Sequence, residues 1–441
     1  MVLKSCCVYS VGVVSVLMLI LGISLVLTSV FPHLVQSMVK KQVVLKNGTD
    51  AFEAWKDPPA HIYMQFYFFN LTNPQEVLDG ERPAVVEIGP YTYREYRPME
   101  QIDFQDNGTK VTAVNSKTYI FQHNMSRGPE SDLIRTVNIP AMTVMERFKD
   151  NSLEANLISA YMRGTGEGLF TTRTVGELLW GYEDGLLKAL KVLRPDLDDV
   201  FGLFYKNNAS NDGEYVFFTG QQNSRDFSRV DTWKGERSLY TVYEEDVTVK
   251  GITGYRFVPP SSVFANLTVN PDNAGFCVPA GNCLGSGLLN VSVCKEGAPI
   301  IMSSPHFYQA DEKFAQDIFG MTPNKEEHQT AIDINPLTGV VLQAAKRLQI
   351  NVYVEQIPNF SQTGNVRTVV FPVAYLNESA TIDDAAAKKL KGIGVQQNVV
   401  ENIPFMLIGL AIIVGGIFML LVCQQKVPES TTAERQPLLS S

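Results

Sequence analysis

A cysteine between glycines, Gly281-Asn282-Cys283-Leu284-Gly285, has the spacing of a nucleophile elbow with cysteine in place of serine. Such a thiolate would attack an acyl carbon. Cys277 lies six residues upstream, however, and in an oxidising compartment two such cysteines bridge rather than react. The run Arg163-Gly164-Thr165-Gly166-Glu167-Gly168 is glycine-rich but lacks the context a dinucleotide site requires, so it reads as a helix breaker. Five histidines (His33, His61, His123, His306, His328) are scattered without metal-ligand spacing. Glu326-Glu327 and Asp383-Asp384 read as solvated surface, and neither a Walker loop nor an HExxH helix is present. The expectation is a protein that catalyses nothing and holds no metal or cofactor.

Chemistry of recognition is better represented. Near the end of the chain, Glu434 precedes Pro437, Leu438 and Leu439. An acidic residue four before a dileucine pair suits clathrin adaptor complexes, which offer a basic patch and an apolar pocket, so these residues read as a sorting signal. Cys6 and Cys7, at the cytosolic start of an apolar run, are candidates for palmitoylation. N-linked glycan acceptors occur at Asn47, Asn70, Asn107, Asn124, Asn208, Asn266, Asn290, Asn359 and Asn377.

The elements that position these groups begin with two apolar stretches. Ser5 to Gln36 carries no formal charge, and neither does Ile403 to Cys423. Each exceeds the ~20 residues a helix needs to cross the hydrocarbon core. The first is too long for a signal-peptide core and has no small-residue cleavage site close behind it, so it reads as an uncleaved anchor. Lysines are too few at the ends for the positive-inside rule to orient the chain. The sequons do so instead, because all of them lie between the two stretches and must have faced the secretory lumen. The expected layout is a cytosolic tail over 1–7, a span over 8–31, a luminal domain over 32–402, a span over 403–423 and a cytosolic tail over 424–441. A net charge of -9 without a basic stripe argues against nucleic acid.

The luminal stretch reads as one domain. His61 to Thr72, Ala84 to Tyr96 and Ser116 to Asn124 are aromatic and β-branched and predict strands, with a hairpin turn at Asp106-Asn107-Gly108. Residues 140–205 change period. Leu153 to Met162 predicts a helix, and Thr174 with Glu177 has capping-box spacing. Apolar residues then recur from Val175 to Leu193, which predicts one amphipathic helix ending before Pro195. Strand patterns resume after Gly213, notably over Val340 to Ile357 and Val366 to Leu376, and Asp383 to Lys391 predicts a short helix before the second span. Three luminal cysteines, Cys277, Cys283 and Cys294, leave one thiol over.

Seven motifs in order carry a resemblance: Phe68 to Pro74, Gly89 to Glu95, Asn211 to Tyr215, Asn273 to Cys277, Asn282 to Gly287, His306 to Glu312 and Asp333 to Gly339. Together they resemble the class B scavenger receptor family over nearly the whole chain, and the Glu434 to Leu439 tail is similar to that of its lysosomal member. The resemblance implies an α+β fold: a large antiparallel β-barrel with a lipid-sized tunnel and an apical helical bundle, which residues 140–205 would form. It implies cholesterol or phospholipid as tunnel ligand, with N-linked glycans outside. It implies acid β-glucocerebrosidase as a partner, carried from the endoplasmic reticulum through late endosomes to lysosomes on the apical helices. Leu153, Leu157, Tyr161, Arg173, Leu178, Leu179 and Trp180 are the expected contact residues. Arg173 stands where the lysosomal member has a titratable histidine, and arginine does not titrate near pH 6. The resemblance also implies a Cys277–Cys283 bridge with Cys294 unpaired, because a few dozen family residues, including its partner, are missing between Leu239 and Tyr240. The family leaves room for a homodimer. The alternative function is uptake of lipoprotein or fatty acid at the cell surface.

Overall fold

The computed structural model describes residues 2–34, 37, 44–58, 60–192, 194–195, 198–223, 226–233, 241–279, 281–295 and 297–425. The chain divides into two units, residues 1–42 with 388–441, and residues 43–387. The first unit holds two helices of membrane-spanning length and composition, α1 (Val2–Leu27) and most of a later helix, Asp384–Gln425. They pack through small residues: the Ser15 hydroxyl donates to the Ala411 carbonyl at 2.8 Å, and Gly12 and Gly22 lie against Phe418 and Ile408. The expected short helix before the second span is instead continuous with it. At 42 residues this helix is about 63 Å long, roughly twice the hydrocarbon thickness.

The second unit opens with α2 (Asp50–Lys56), β1 (Ile62–Leu71), α3 (Pro74–Leu78), β2 (Val85–Tyr96), β3 (Met99–Gln105) and β4 (Lys110–Phe121). Next come β5 (Leu133–Val137), α4 (Ile139–Phe148), α5 (Ser152–Thr165), β6 (Phe170–Thr174), α6 (Val175–Trp180), β7 (Tyr182–Glu183), α7 (Gly185–Lys191) and β8 (Val200–Phe201). Then follow β9 (Ser210–Phe218), β10 (Val230–Trp233), β11 (Val242–Val249), β12 (Ile252–Val258), β13 (Leu289–Asn290) and β14 (Ile300–Ser303). The remainder is α8 (Glu312–Gln316), α9 (Lys325–His328), β15 (Ala331–Ile334), β16 (Val341–Val354), β17 (Val369–Thr381) and α10, the Asp384–Gln425 helix.

One antiparallel sheet organises this unit, in the order β10-β9-β4-β2-β1-β17-β16-β15-β12-β11. Its centre is the most apolar part of the sequence. Every residue from Val369 to Leu376 in β17 is buried, which requires cover on both faces of the sheet. In β1 both Phe68 and Phe69 are fully buried, beside an irregularity in the β1–β2 register between Phe66 and Phe68. Helices α4 to α6 complete the core with Met142, Met145, Met162 and Leu179. Each such side chain contributes roughly 1.5–3 kcal/mol by leaving water.

The expected closed barrel is not formed: among the described residues no sheet closes on itself. Among the described residues, β10 pairs only with β9 and β11 only with β12. Closure needs a run of strands whose tilt and stagger bring the first edge onto the last. Here the two open edges are consecutive in the chain, with only residues 234–241 between them, and β10 is four residues long. Among the described residues no further strand joins them.

A second correction concerns the helix expected from Val175 to Leu193. It is two short helices, because Gly181 takes a φ of 115° and Tyr182–Glu183 turns aside to pair with β8. A Cβ on Gly202 would stand 2.7 Å from the Gly181 Cα, so the two glycines permit this crossing. Asp184 then starts α7 by accepting from the amides of Leu186 and Leu187.

Candidate functional site

Helix α5 has two chemically distinct faces. Asn151 caps its start by accepting from the Glu154 amide, and Gly166 ends it in the left-handed conformation at φ 76°. The helix thus runs through Arg163 and Gly164, three residues beyond the sequence expectation. Ala155, Ile158, Ser159 and Met162 are buried. The Ser159 hydroxyl donates to Gln362 at 2.9 Å, and the Gln362 amide donates back to the Ser159 carbonyl at 2.8 Å. This pair pins the helix to the loop after β16. The opposite face carries Leu153, Leu157 and Tyr161, which are 72%, 65% and 42% exposed. Four-residue spacing puts them in one stripe, and an apolar stripe left in water is a contact surface in waiting.

The other expected contact residues are buried or half-buried. Leu178 and Leu179 are buried in the core. The Trp180 indole is half-buried, donating to the Tyr93 hydroxyl and the Glu130 carboxylate, both at 3.2 Å. Burial, reinforced by the hydrogen bond to Glu130, pushes the Tyr93 hydroxyl far above its ordinary range, so it remains a donor at every physiological pH. Arg173 lies half-buried over the Tyr182 ring, 4.2 Å from its centroid. The capping box read from Thr174 and Glu177 is formed and fixes the start of α6. A cleft of about 490 Å³, lined in part by Arg135, Met162, Arg163 and Phe170, lies at the C-terminal end of α5.

The elbow-like Cys283 is disulfide-bonded to Cys277, whereas Cys294 is an exposed free thiol. A maleimide applied without reductant is therefore expected to modify Cys294 and to reach Cys277 and Cys283 only after reduction. Modification of Cys283 in unreduced protein would revive a thiol chemistry. Among the described residues no three His, Cys, Asp or Glu side chains converge as a metal site. Asn47, Asn107, Asn124, Asn208 and Asn359 are exposed; Asn70, Asn266, Asn290 and Asn377 are half-buried. The Asn377 amide donates to Gln65 within the sheet at 3.1 Å. Glu434, Pro437, Leu438 and Leu439 lie outside the described residues, as do the side chains of Cys6 and Cys7.

Sequence reasoning missed one cluster. His306 and His328, far apart in a scattered set, stack at 4.4 Å between ring centroids beside Glu87 and Tyr375. No spacing signal could have found them, because α9 brings His328 back over the turn that carries His306.

The sequence profile of the CD36 family matches residues 13–239 and 236–422. The chain belongs to the CD36 family. Membership places it among non-catalytic receptors. It is 45% identical to human (Homo sapiens) lysosome membrane protein 2, across 98% of this chain and 99% of that protein, and 44% identical to the Rattus norvegicus counterpart. It is 33% identical to scavenger receptor class B member 1 of Cricetulus griseus, across 93% of this chain and 87% of the relative. The alignment to the human protein runs to 477 positions against a chain of 441 residues, so that relative carries residues this CD36-family chain lacks. The profile breaks at residues 236–239, between the two open edge strands β10 and β11.

Proposed function

We propose that this CD36-family chain is a lysosomal membrane receptor that binds acid β-glucocerebrosidase in the secretory pathway and sorts it to lysosomes, and that it also handles lipid. The exposed stripe of Leu153, Leu157 and Tyr161 carries the binding part of the reading. It is rigidly mounted on α5 and offers about two turns of apolar surface to a folded partner. The identity to lysosome membrane protein 2 supports the lysosomal address, and family membership supports lipid handling. Residues 8–31 and 403–423 span the membrane, residues 32–402 are luminal, and residues 1–7 and 424–441 are cytosolic. Residues 140–205 form the partner-facing part of the luminal domain. The nine sequons carry glycans, Cys6 and Cys7 accept palmitate, and Glu434, Pro437, Leu438 and Leu439 engage clathrin adaptors.

The test has two arms. Full-length protein is expected to co-precipitate acid β-glucocerebrosidase at neutral pH and to release it at acidic pH; absence of binding at both removes the carrier role. Leu438→Ala with Leu439→Ala is expected to move most of the protein from lysosomes to the cell surface. Unchanged lysosomal delivery would leave the tail without the role given to it.

A further inference from the structure

We propose that His328, stacked on His306, forms an acid-released latch that holds the segment 320–328 against the sheet. In this arrangement the Nδ1 atoms of both rings accept hydrogen bonds. His306 Nδ1 accepts from the Thr322 amide at 3.0 Å, and His328 Nδ1 accepts from the Asn324 amide at 2.9 Å. Both rings are 3% exposed. With Nδ1 accepting, the His306 proton sits on Nε2, which donates to Glu87 at 2.7 Å. The His306 amide also donates to Gln349 at 2.7 Å, which fixes the backbone that carries the ring. A proton added to the His328 Nδ1 converts an acceptor into a donor facing the donating Asn324 amide. That event unfastens this amide of the segment.

The charges around the pair set the response. Glu87 on β2 faces both rings, and Tyr375 on β17 donates to it at 3.2 Å. Tyr67 on β1, Arg347 on β16 and Glu327 on α9 lie in the same field, with Arg256 on β12 beyond Arg347. Burial raises Glu87, but hydrogen bonds and charge from His306, with Tyr375, outweigh it and hold the carboxyl below its ordinary range. Glu87 therefore stays ionised, and its hydrogen bond goes to His306 rather than to His328. The two rings are stacked at 4.4 Å. Burial first, then the adjacent His306, lowers His328 to about 4. The fold thus favours neutral His328. Its contribution is fully present above the ordinary histidine pKa of about 6.5 and is lost as pH falls toward 4.

The ends of the segment stay tied by groups that do not titrate in that window. The Phe319 amide donates to Pro83, the Val85 amide donates to Phe319, and Lys325 pairs with Glu244 at 3.0 Å. Acid release is therefore local. It loosens the turn over the Tyr67–Tyr375 stack and leaves β16 and β17 paired. The inference stands independently of the sorting role.

Hydrogen exchange on full-length protein in nanodiscs tests it. After correction for intrinsic rates, opening of residues 321–328 is expected to rise about 20-fold between pH 7 and pH 5, with β17 unchanged. His328→Asn keeps an oxygen acceptor near the Nδ1 position and does not titrate, so it should abolish the rise. Protection that holds from pH 7 to pH 5 overturns the latch, as does an equal loss in His328→Asn. Should that variant fail to fold, imidazole titration by NMR on the wild type decides. The Asn324 amide resonance must move with the His328 ring, and an amide that stays still while that ring titrates overturns it.

Discussion

Replacing Leu153 and Leu157 together by aspartate is expected to lower affinity for acid β-glucocerebrosidase at least 100-fold at neutral pH, with thermal stability unchanged. Both side chains project from α5 into solvent, 72% and 65% exposed, so the folded monomer loses no packing when they change. Truncating a residue at the centre of an interface typically costs 2 kcal/mol or more, and each carboxylate adds a desolvation cost of its own. Exposed substitutions usually shift folding by less than about 0.5 kcal/mol. The contrast is Leu178→Ala. Leu178 is buried, so that change is expected to cost about 2–5 kcal/mol of stability and to affect binding only through the fold. Calorimetry paired with surface plasmon resonance separates the cases. Unaltered binding by the aspartate variant would show that the partner docks elsewhere.

The second large effect concerns stability. Arg97→Met is expected to cost about 3–5 kcal/mol at pH 7, with the deficit shrinking in acid. Arg97 lies between Glu95 on β2 and Glu378 on β17, hydrogen-bonding to both. The Glu95 side chain is inaccessible and that of Glu378 is 13% exposed. Burial raises Glu378, yet Arg97 and then Lys346 outweigh it and hold its carboxyl below the ordinary range. That lowering contributes stability above the ordinary glutamate pKa of about 4.3 and loses it as pH falls. Glu95 differs, since burial raises it despite Arg97. Without the guanidinium both carboxylates are stranded at neutral pH, and below roughly pH 4.5 protonation relieves them. Thermal midpoints of wild type and variant should converge between pH 7 and pH 4.5. A gap that stays constant across that range would mean the loss came from packing.

Local signals were legible where one chain segment contains its own physics. The aromatic and β-branched runs became β1, β2, β4, β16 and β17 because strand-favouring composition bounded by turn residues needs no distant information. The Thr174–Glu177 box formed because both partners lie within one turn. The helix read across Val175 to Leu193 failed for the opposite reason: Gly181 turns the chain, and it can do so because Gly202 leaves room beside it. That neighbour is remote in sequence. On α5 the helix and its stripe were readable, but periodicity does not say which apolar residues a neighbour covers. Leu153, Leu157 and Tyr161 stay outside; Leu178 and Leu179 go to the core.

Composition and local spacing determined the two apolar stretches and the sequons between them, and the ordered motifs carried the resemblance to the family, because each depends on residues close together in the chain. Tertiary structure decided the rest. It left the sheet open between β10 and β11, since closure is a property of all strands at once. It stacked His306 on His328 over Glu87, because residues scattered along a chain acquire a shared field only when the fold buries them together.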